Sequence, residues 1–584
     1  MKGRVLLLLA AAAPLGCSGS GQERSGARPW RLWSAAREGP APVVETGSLR
    51  PLRSSRLSPW FGRSEAAGPD EAPRILGDTR DAVATPAPTR FRVEVPAAAG
   101  LLRLRGAVRR PAGAFPPHPL RAEVFLRRPG EERPRSLAAR ILPDPREQPA
   151  AADWQALAAD FEAPAGAVLE FVARNEGPGL ADLPGAEVHW AELEIRRSAP
   201  GPRPPDVLLV TVDTLRADHL DLEGASLREL FLGGSGDGGA WWPRALSPSI
   251  WTLPSYASLF TARDDHGAGR GPFPAGGPDG APDPRDYRIL DPLPTLAEAF
   301  QEAGYATAML HQNPLLEPWT GLDRGFGRYA RLRDRPAEAV AEARSWWEEH
   351  EGSPRFLVLH LMAPHLPYDP ELPGAGDAAL PPDPLEGRDW AGFLSADHGP
   401  EERRRFFDLP EEEREALRRR YAAEVRSVHR ALEPWIRELR DRSDLLLALH
   451  SDHGEEHWEH GGFEHGHAFV PEVAEVGLLL RGPGVRPGVY RDGPWRVRDL
   501  GPTLLRLAGL PLPPGFEGDL FHPAPEARCL QPLYRAEHGG LVRRPGGDAF
   551  LPFDPQEGAG GRPAQTPDPD LAAALAELGY AGGY

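Results

Sequence analysis

Three segments of the sequence end a short apolar run with residues that can bind a cation or move a proton. Asp213 follows the run VLLVTV, Asp452 and His453 follow LLLALH, and His365 follows LVLHLM. Carboxylate oxygens together with an imidazole nitrogen form a ligand set suited to a divalent metal ion. Because ligands in open α/β sheets bind at the carboxyl ends of the strands, these three strand ends predict one shared site.

Each of these segments also has an ordinary structural interpretation. An Asp at a strand end is commonly a helix cap. A loop such as HWEHGGFEHGH, which contains His465, is more often a solvated turn than a binding site. A fourth segment, SPSIWTLPSYASLFTAR, is either a buried turn or a turn that presents the hydroxyl of Thr252 to a reactive centre. The occurrence of all four segments in one domain favours a site.

The sequence pattern around these residues predicts an α/β domain over residues 203–525, whose strands and helices would position them. VLLVTV is a continuous apolar and β-branched run, as expected for a central parallel strand buried on both faces. Helical stretches such as LPTLAEAFQEAG then alternate with the short apolar runs ATAML, FLVLHLM, LLLALH and VGLLLRG. This alternation predicts a mainly parallel sheet covered by helices on both faces.

The segments before this domain predict a different architecture. FRVEV, LLRLRGAV, RAEVFLRR, VLEFVAR and VHWAELEIRR alternate apolar and polar residues, which predicts a small all-β sandwich over residues 89–199. Such a sandwich either binds carbohydrate or is a structural accessory domain. Residues 18–88 predict a low-complexity tether with one or two short packed pieces. Residues 526–584 form a C-terminal extension that ends in a predicted helix, PDPDLAAALAELGY.

The composition narrows the class of protein. A chain of 584 residues is too long for one core and predicts two to three domains. The net charge of -17 argues against a general nucleic-acid binder. Lys2 is the only lysine, so that a mature chain without the first residues has no lysine for an active site.

The first 17 residues, MKGRVLLLLAAAAPLGC, have the pattern of a secretory signal. Lys2 and Arg4 precede an apolar stretch that is too short to span a bilayer. The segment resembles a bacterial lipoprotein signal with Cys17 as the lipidated residue, although Pro14 departs from the usual pattern, and cleavage near Ala13 is the alternative. Either interpretation predicts export, to the periplasm or outer membrane, with membrane contact only through an N-terminal lipid anchor.

Several segments, taken in their order along the chain, resemble the sulfatase branch of the alkaline phosphatase superfamily. The resemblance runs from Pro205 to about His522 and covers somewhat more than half the chain. Its pieces are DVLLVTVDTLRADHL, SIWTLPSYASLFTAR, LHLMAPHLPYDP, LHSDHGEEHWEHGG, EHGHAF with VGLLLRGPG, and RDLGPTLLRLAGLP. The resemblance implies an α/β class fold, namely an alkaline phosphatase-like α/β/α sandwich with a mainly parallel central sheet, here preceded by the small all-β sandwich.

The resemblance also implies roles for individual residues. It implies one divalent metal ion, either Ca, Mn, Mg or Zn, held by Asp213, Asp452, His453 and Thr252. Thr252 falls at the position of the nucleophile. His465 falls at a position that contacts the transferred group or the leaving oxygen, and His365 falls near the leaving group. A second full metal site is not expected, because Leu361 stands where the family's usual element would have an Asp.

Several departures from the family pattern bear on the chemistry. Sulfatases oxidise Cys or Ser to formylglycine at the nucleophile position, and Thr252 cannot form that aldehyde, so no formylglycine is expected. Tyr256 replaces the Arg of the motif, and Thr214 replaces the second Asp of the usual pair. An Asp-His pair in place of Asp-Asn resembles members that act on phosphate and phosphonate esters. Unmodified Thr nucleophiles occur in relatives that transfer phosphoethanolamine or phosphoglycerol groups.

The sequence therefore predicts an exported, metal-dependent hydrolase, or a transferase, of the sulfatase family. It would cleave sulfate esters or, as Thr252 favours, phosphate or phosphonate esters through a covalent intermediate. The substrate would be an anionic ester, for example of a glycan or a lipid head group, and not a nucleic acid. The alternative is a catalytically degenerate surface protein that keeps the fold and binds glycan. The loop Asp264 to Arg288 is predicted to be either a lid or disordered.

Overall fold

The computed structural model describes the following residues of the chain: 30–31, 43–46, 50–57, 75–95, 101–111, 118–146, 154–177, 179–181, 187–197, 203–234, 238–263, 289, 293–370, 380–388, 404–530, 540–545 and 547–551. The chain divides into two compact units, residues 1–56 with 80–203 and residues 57–79 with 204–584. The signal segment, the loop at 264–288 and the predicted C-terminal helix lie outside the described residues.

The N-terminal unit is built from antiparallel strands. Its strands are β1 (Trp30–Arg31), β2 (Val43–Thr46), β3 (Arg50–Leu57), β4 (Ile75–Pro86), β5 (Thr89–Glu94), β6 (Leu101–Arg109), β7 (Leu120–Arg127), β8 (Arg135–Leu142), β9 (Gln155–Glu162), β10 (Val168–Asn175) and β11 (Glu187–Arg197). One sheet has the order β2-β5-β10-β7-β8, and a second contains β4-β11-β6-β9, with β1 beside β11 and β3 beside β4. Strands β1 to β4 lie within the stretch predicted to be a tether with short packed pieces, and residue 57 of β3 and residues 75–79 of β4 are counted with the C-terminal unit.

The period-two pattern places one face of each sheet in the core of this unit. Phe91 stacks on Phe171 across β5 and β10 with ring centroids 4.8 Å apart, and Trp190 contacts the edges of both rings. The indole N–H of Trp190 donates to Thr85 Oγ1 at 2.9 Å, so that its one polar group is satisfied inside the core. The predicted segments correspond to β5, β6, β7, β10 and β11. Strands β8 and β9 were not predicted, because their residues are mostly half-buried or exposed.

The C-terminal unit contains a large mixed sheet with helices. Its strands are β12 (Asp206–Val212), β13 (Asp221–Leu222), β14 (Ala225–Ser226), β15 (Ala240–Leu246), β16 (Ala306–His311), β17 (Arg328–Leu332), β18 (Arg355–Leu361), β19 (Leu445–His450), β20 (Glu456–His457), β21 (Phe463–Glu464), β22 (Glu475–Arg481), β23 (Gly488–Val489), β24 (Ala527–Leu530), β25 (Gly540–Arg544) and β26 (Gly547–Leu551). Its helices are α1 (Leu227–Leu232), α2 (Thr252–Thr261), α3 (Leu296–Glu302), α4 (Pro336–Glu349), α5 (Glu411–Leu439), α6 (Pro471–Ala474) and α7 (Leu500–Leu507), with 3-10 turns at Ala217–His219, Pro318–Thr320 and Val497–Asp499.

The central sheet has the strand order β23-β15-β22-β19-β12-β18-β16-β17. The five strands from β19 to β17 are parallel, whereas β22 is antiparallel to both β19 and β15. Every residue of β12, β16, β18 and β19 is buried, which is why these strands are nearly continuous apolar runs. The predicted α/β fold with a mainly parallel central sheet is confirmed.

This topology brings the residues of the predicted site together at the carboxyl ends of the central strands. Strand β12 lies between β18 and β19, so that the residues following these three strands are neighbours. Strands β24, β25 and β26 form a separate antiparallel sheet within the predicted C-terminal extension. Within the described residues, no helix combines the length and apolarity needed to cross a bilayer.

Candidate active site

Asp213 stands directly after β12 and is fully buried. Its backbone N–H donates to Leu361 O at the end of β18 at 2.9 Å, which fixes the position of its side chain. Oδ2 accepts hydrogen bonds from His360 Nε2 at 3.1 Å and from Asn313 Nδ2 at 2.9 Å. Oδ1 has no hydrogen-bond partner among the described residues. A carboxylate oxygen buried in this way is costly unless another group compensates it.

Asp452 and His453 follow β19 and face Asp213. His453 Nδ1 lies 3.0 Å from Gly454 O, and because a carbonyl only accepts, Nδ1 is the donor and Nε2 is the nitrogen left to bind a metal. That Nε2 lies 3.8 Å from Asp213 Oδ1 and 3.7 Å from Asp452 Oδ2. Asp452 Oδ2 likewise has no hydrogen-bond partner among the described residues.

The three predicted metal ligands therefore converge. One donor atom from each of Asp213, Asp452 and His453 lies within 4.8 Å of the other two. Two ligand atoms bound to one ion at about 2.0–2.6 Å each are separated by a similar distance. Asp213 Oδ1 and Asp452 Oδ2, which have no hydrogen-bond partner among the described residues, and His453 Nε2 thus fit a single divalent cation.

The two carboxyl groups have opposite pKa shifts. Burial raises the pKa of Asp452, and the nearby charge of Asp213 raises it further, with partial relief from His453. Burial also opposes ionisation of Asp213, but the hydrogen bond from His360 and the neighbouring imidazoles hold the pKa of Asp213 below its usual value. A cation between them would relieve the repulsion between the two carboxylates and favour the ionised form of both.

Thr252 is the first residue of α2 and lies beside this cluster. Trp251 before it is extended, with φ -156° and ψ 149°, and the chain then turns into the helix. Thr252 is buried, and its Oγ1 lies 3.3 Å from His453 Nε2 and 3.4 Å from Asn313 Nδ2. The hydroxyl group is therefore within reach of the same ion that the three ligands would bind.

The serines around Thr252 hold this turn against Asp452. The Ser247 hydroxyl donates to Ser249 O at 2.7 Å and also contacts Asp452 O. Ser255 Oγ lies 3.2 Å from Ser247 Oγ and donates to Ser249 O at 3.2 Å. The small hydroxyl-bearing residues of this segment thus fix the position of α2 relative to the metal-binding loop.

His365 and His465 lie next to the cluster. Their rings are 5.1 Å apart in an edge-to-face arrangement, and the ring of His465 is 4.3 Å from that of His453. His465 Nδ1 lies 3.0 Å from Glu455 Oε1, which orients the ring. Burial, followed by the charge of Glu464, raises the pKa of Glu455 to about 8.

The family model described as Sulfatase matches residues 205–510, which is more than half of the chain. The protein belongs to the sulfatase family.

Individual relatives are more distant from this member of the sulfatase family. Human (Homo sapiens) arylsulfatase K is 34% identical over 88 residues, which make up 13% of this chain and 16% of that protein. The chain thus matches about one sixth of the length of this relative. Similar solved structures include a 2-O GAG sulfatase, at 17% identity over 64% of this chain and 90% of that chain with a TM-score of 0.45. They also include the phosphonate monoester hydrolase from Silicibacter pomeroyi, at 20% identity over 64% and 93% with a TM-score of 0.40.

The sulfatase family generally binds a divalent metal, and Asp213, Asp452 and His453 form the candidate site for it in this protein. Two of the positions where the chain departs from the sulfatase pattern, Tyr256 and Thr214, are buried. Burial, followed by the charge of Asp452, raises the pKa of Tyr256 well above its usual value, so that a neutral phenol replaces the family's cation. Thr214 has a φ of 52°, which is rare for a β-branched residue.

Three residues beside the site were not predicted from the sequence: Asn313, His360 and Glu455. Asn313 follows β16, so the strand-end rule that selected Asp213 would have selected it as well. His360 was missed because it lies inside the apolar run of β18, where the pattern indicates only burial. Glu455 was missed because it lies between Asp452–His453 and the His-rich loop, and the sequence pattern there does not show that it is fully buried.

Proposed function

We propose that this sulfatase-family protein is a metal-dependent hydrolase of phosphodiester or phosphonate esters that acts through a covalent intermediate on Thr252. The observation that carries the proposal is the position of the Thr252 hydroxyl, 3.3 Å from His453 Nε2 and beside two carboxylate oxygens without hydrogen-bond partners among the described residues. A divalent ion held by Asp213, Asp452 and His453 would lower the pKa of a neighbouring hydroxyl group and screen an anionic substrate.

The side chains of the site then have distinct tasks. Thr252 Oγ1 attacks phosphorus in line, the Oγ1–P bond forms, and the bond from phosphorus to the leaving oxygen breaks. His365 or His465 donates a proton to that leaving oxygen. Water, or an acceptor alcohol, then attacks phosphorus from the vacated side and gives a proton to the same histidine. The Oγ1–P bond breaks, and Oγ1 takes back from solvent the proton that it gave up to solvent when it attacked, which restores the hydroxyl of Thr252.

The type of nucleophile supports a phosphorus ester over a sulfate ester. In formylglycine enzymes a second hydroxyl group on the same carbon lets the sulfated intermediate collapse without attack on sulfur. Thr252 has only one oxygen, so that its ester is released only by attack on the transferred group. A phosphodiester or phosphonate intermediate permits such an attack at phosphorus.

The charges around Thr252 support a monoanionic substrate. The side chains of Asp213 and Thr252 contact imidazole and amide groups, and Tyr256 is neutral. One divalent ion would balance the charges of Asp213 and Asp452. A site with little net charge favours a singly charged diester over the dianion of a phosphate monoester.

The test compares Thr252→Ala with Thr261→Ala in the purified full chain, supplied with Mn²⁺ or Zn²⁺. Thr261 lies in the same helix, is equally buried and donates its hydroxyl group to Ala257 O at 2.7 Å. Each substitution should lower the free energy of unfolding by about 1 kcal/mol. Only Thr252→Ala should lose turnover, by several orders of magnitude, while it retains the metal.

Substrate preference is measured with bis(4-nitrophenyl) phosphate, 4-nitrophenyl sulfate and 4-nitrophenyl phosphate side by side, and rapid quenching followed by peptide mass spectrometry should find a phosphoryl ester on Thr252. A clear preference for the sulfate would refute the phosphoester proposal. Absence of both bound metal and turnover would instead favour a degenerate protein that binds glycan through the β-sandwich.

We also propose that the protein is exported and anchored through a lipid on Cys17. The support is the sequence of the first 17 residues. A fatty-acid analogue should label the wild-type protein and not Cys17→Ser in a bacterial host. If neither protein is labelled, the lipid anchor is refuted, and fractionation then shows whether the chain is secreted.

A further inference from the structure

Asn313 presents an amide group to the proposed reacting oxygen. The residue is buried, and its Oδ1 accepts a hydrogen bond from the backbone N–H of Leu315 at 2.9 Å. This contact fixes the orientation of the amide, because an N–H group can only pair with the oxygen. Nδ2 therefore faces the site, where it lies 2.9 Å from Asp213 Oδ2 and 3.4 Å from Thr252 Oγ1.

The backbone around Asn313 is held as firmly as its side chain. Asn313 O accepts from His311 Nδ1 at 2.9 Å and from the backbone N–H of Leu316 at 3.2 Å. One amide hydrogen is used by Asp213, and the other is available to Thr252 Oγ1. A donor fixed in advance needs no reorganisation when negative charge develops at its acceptor.

We propose that Asn313 is a catalytic residue that stabilises the negative charge on Thr252 Oγ1 through its second amide hydrogen. The 3.4 Å contact is long for a hydrogen bond to a neutral hydroxyl group, and it would shorten once that oxygen is an alkoxide. Lys2 is the only lysine of the chain, so that no lysine stands beside Thr252 and the amide of Asn313 is the donor placed to take this task. The inference rests on the proposed function, since it requires Thr252 to be the nucleophile.

Gln312 provides a matched control from the neighbouring position. It is also a buried amide, but its Oε1 accepts from the backbone N–H of Met362 at 2.9 Å and its Nε2 donates to Arg333 O at 2.7 Å. Both ends of this amide pair with backbone groups, so that its removal should lower stability without changing the chemistry.

The experiment measures kcat and KM for bis(4-nitrophenyl) phosphate, metal content, and the calorimetric affinity for orthovanadate, which mimics a five-coordinate transition state. Asn313→Ala should lower kcat by about 10²–10³-fold and weaken orthovanadate binding, while KM and metal content stay close to wild type. Gln312→Ala should lower the melting temperature but leave kcat and orthovanadate affinity unchanged. Asn313→Asp keeps the acceptor for Leu315 and removes the donor, so it should lose kcat even if Asn313→Ala fails to fold.

The inference is overturned if the Asn313 variants lose no more kcat than Gln312→Ala, or if saturating metal restores their activity. Thr252→Ala, measured in parallel, distinguishes a failure of the role of Asn313 from a failure of the proposed function. If Thr252→Ala is inactive while Asn313→Ala and Asn313→Asp are active, only the role of Asn313 is refuted. If Thr252→Ala retains turnover, the proposed function fails and the role of Asn313 fails with it.

Discussion

Strand β12 begins at one buried aspartate and is followed directly by another, and the two carboxylates have very different partners. Asp206, at its start, accepts a hydrogen bond on Oδ1 from the backbone N–H of Arg355 at 3.0 Å. Its Oδ2 accepts from the guanidinium groups of Arg355 and Arg442, the latter at 3.0 Å. The cations that balance Asp206 are thus part of the chain itself.

Asp213, at the other end of the strand, has no such partner among the groups that contact its carboxylate. Imidazole and amide groups donate to Oδ2, and Oδ1 has no hydrogen-bond partner among the described residues. Both aspartates are fully buried, so the difference lies in their partners and not in their exposure. A structural carboxylate such as Asp206 is thus neutralised by arginines of the same chain, whereas the carboxylate of a binding site such as Asp213 can accept a cation from solution.

The largest effect on folding is expected at the structural end of the strand. Asp206→Ala leaves the buried guanidinium of Arg355 without its carboxylate, and removal of one partner from a buried ion pair costs about 3–5 kcal/mol. Chemical denaturation of the metal-free protein measures this loss. Metal affinity of the folded variant should remain that of wild type; an equally large loss of metal affinity would show that the two ends are not independent.

At the binding end the opposite result is expected. Asp213→Asn should weaken Mn²⁺ or Zn²⁺ binding by more than about 100-fold, because a charged ligand is lost. Stability of the metal-free protein should change much less than in Asp206→Ala, because the loss of the carboxylate that His360 contacts is offset by removal of the repulsion that raises the pKa of Asp452. Calorimetric titration and thermal melts in a chelator check both statements. If metal-free Asp213→Asn were as unstable as Asp206→Ala, Asp213 would be a structural carboxylate like Asp206 and not one reserved for a metal.

The metal affinity should also depend on pH. Burial raises the pKa of Asp452 in the metal-free protein. The free energy of unfolding of the metal-free protein therefore falls as the pH rises through that pKa and Asp452 ionises. The metal requires the ionised form and removes this cost, so that stabilisation by metal should grow as the pH rises and fall as Asp452 is protonated. Melting temperatures with and without metal from pH 5 to pH 8 test the sign. A metal-induced shift that increases toward low pH would be inconsistent with Asp452 as a ligand.

The smallest effect is expected from Arg442→Ala. The Arg442 side chain is partly exposed and also pairs with Asp444 at 2.9 Å, while Arg355 continues to balance Asp206. The loss of unfolding free energy should be about 1 kcal/mol, as for exposed ion pairs. If Arg442→Ala were as damaging as Asp206→Ala, Arg355 alone would not satisfy the buried carboxylate.

Much of the fold followed from the sequence pattern. Strands β12, β18 and β19 were predicted because a parallel strand buried on both faces must be apolar along its whole length. Strands β5, β7 and β10 were predicted because one of their faces lies in a core. Strands β8 and β9 were not predicted, because they bury too few side chains to show a clear alternation.

The sequence by itself determined which residues could bind a metal, because the residue type and the position after a strand suffice for that. Asp213, Asp452 and His453 were predicted on this basis, and the structure brings them within 4.8 Å. Only the tertiary structure decided which carboxylates remain open to a cation. Asp206 and Asp213 flank the same apolar run and look alike in the sequence. Arg355 and Arg442 form ion pairs with Asp206. His360 and Asn313 only donate hydrogen bonds to Asp213. These partners are distant in the sequence, and folding alone brings them to the two ends of one strand.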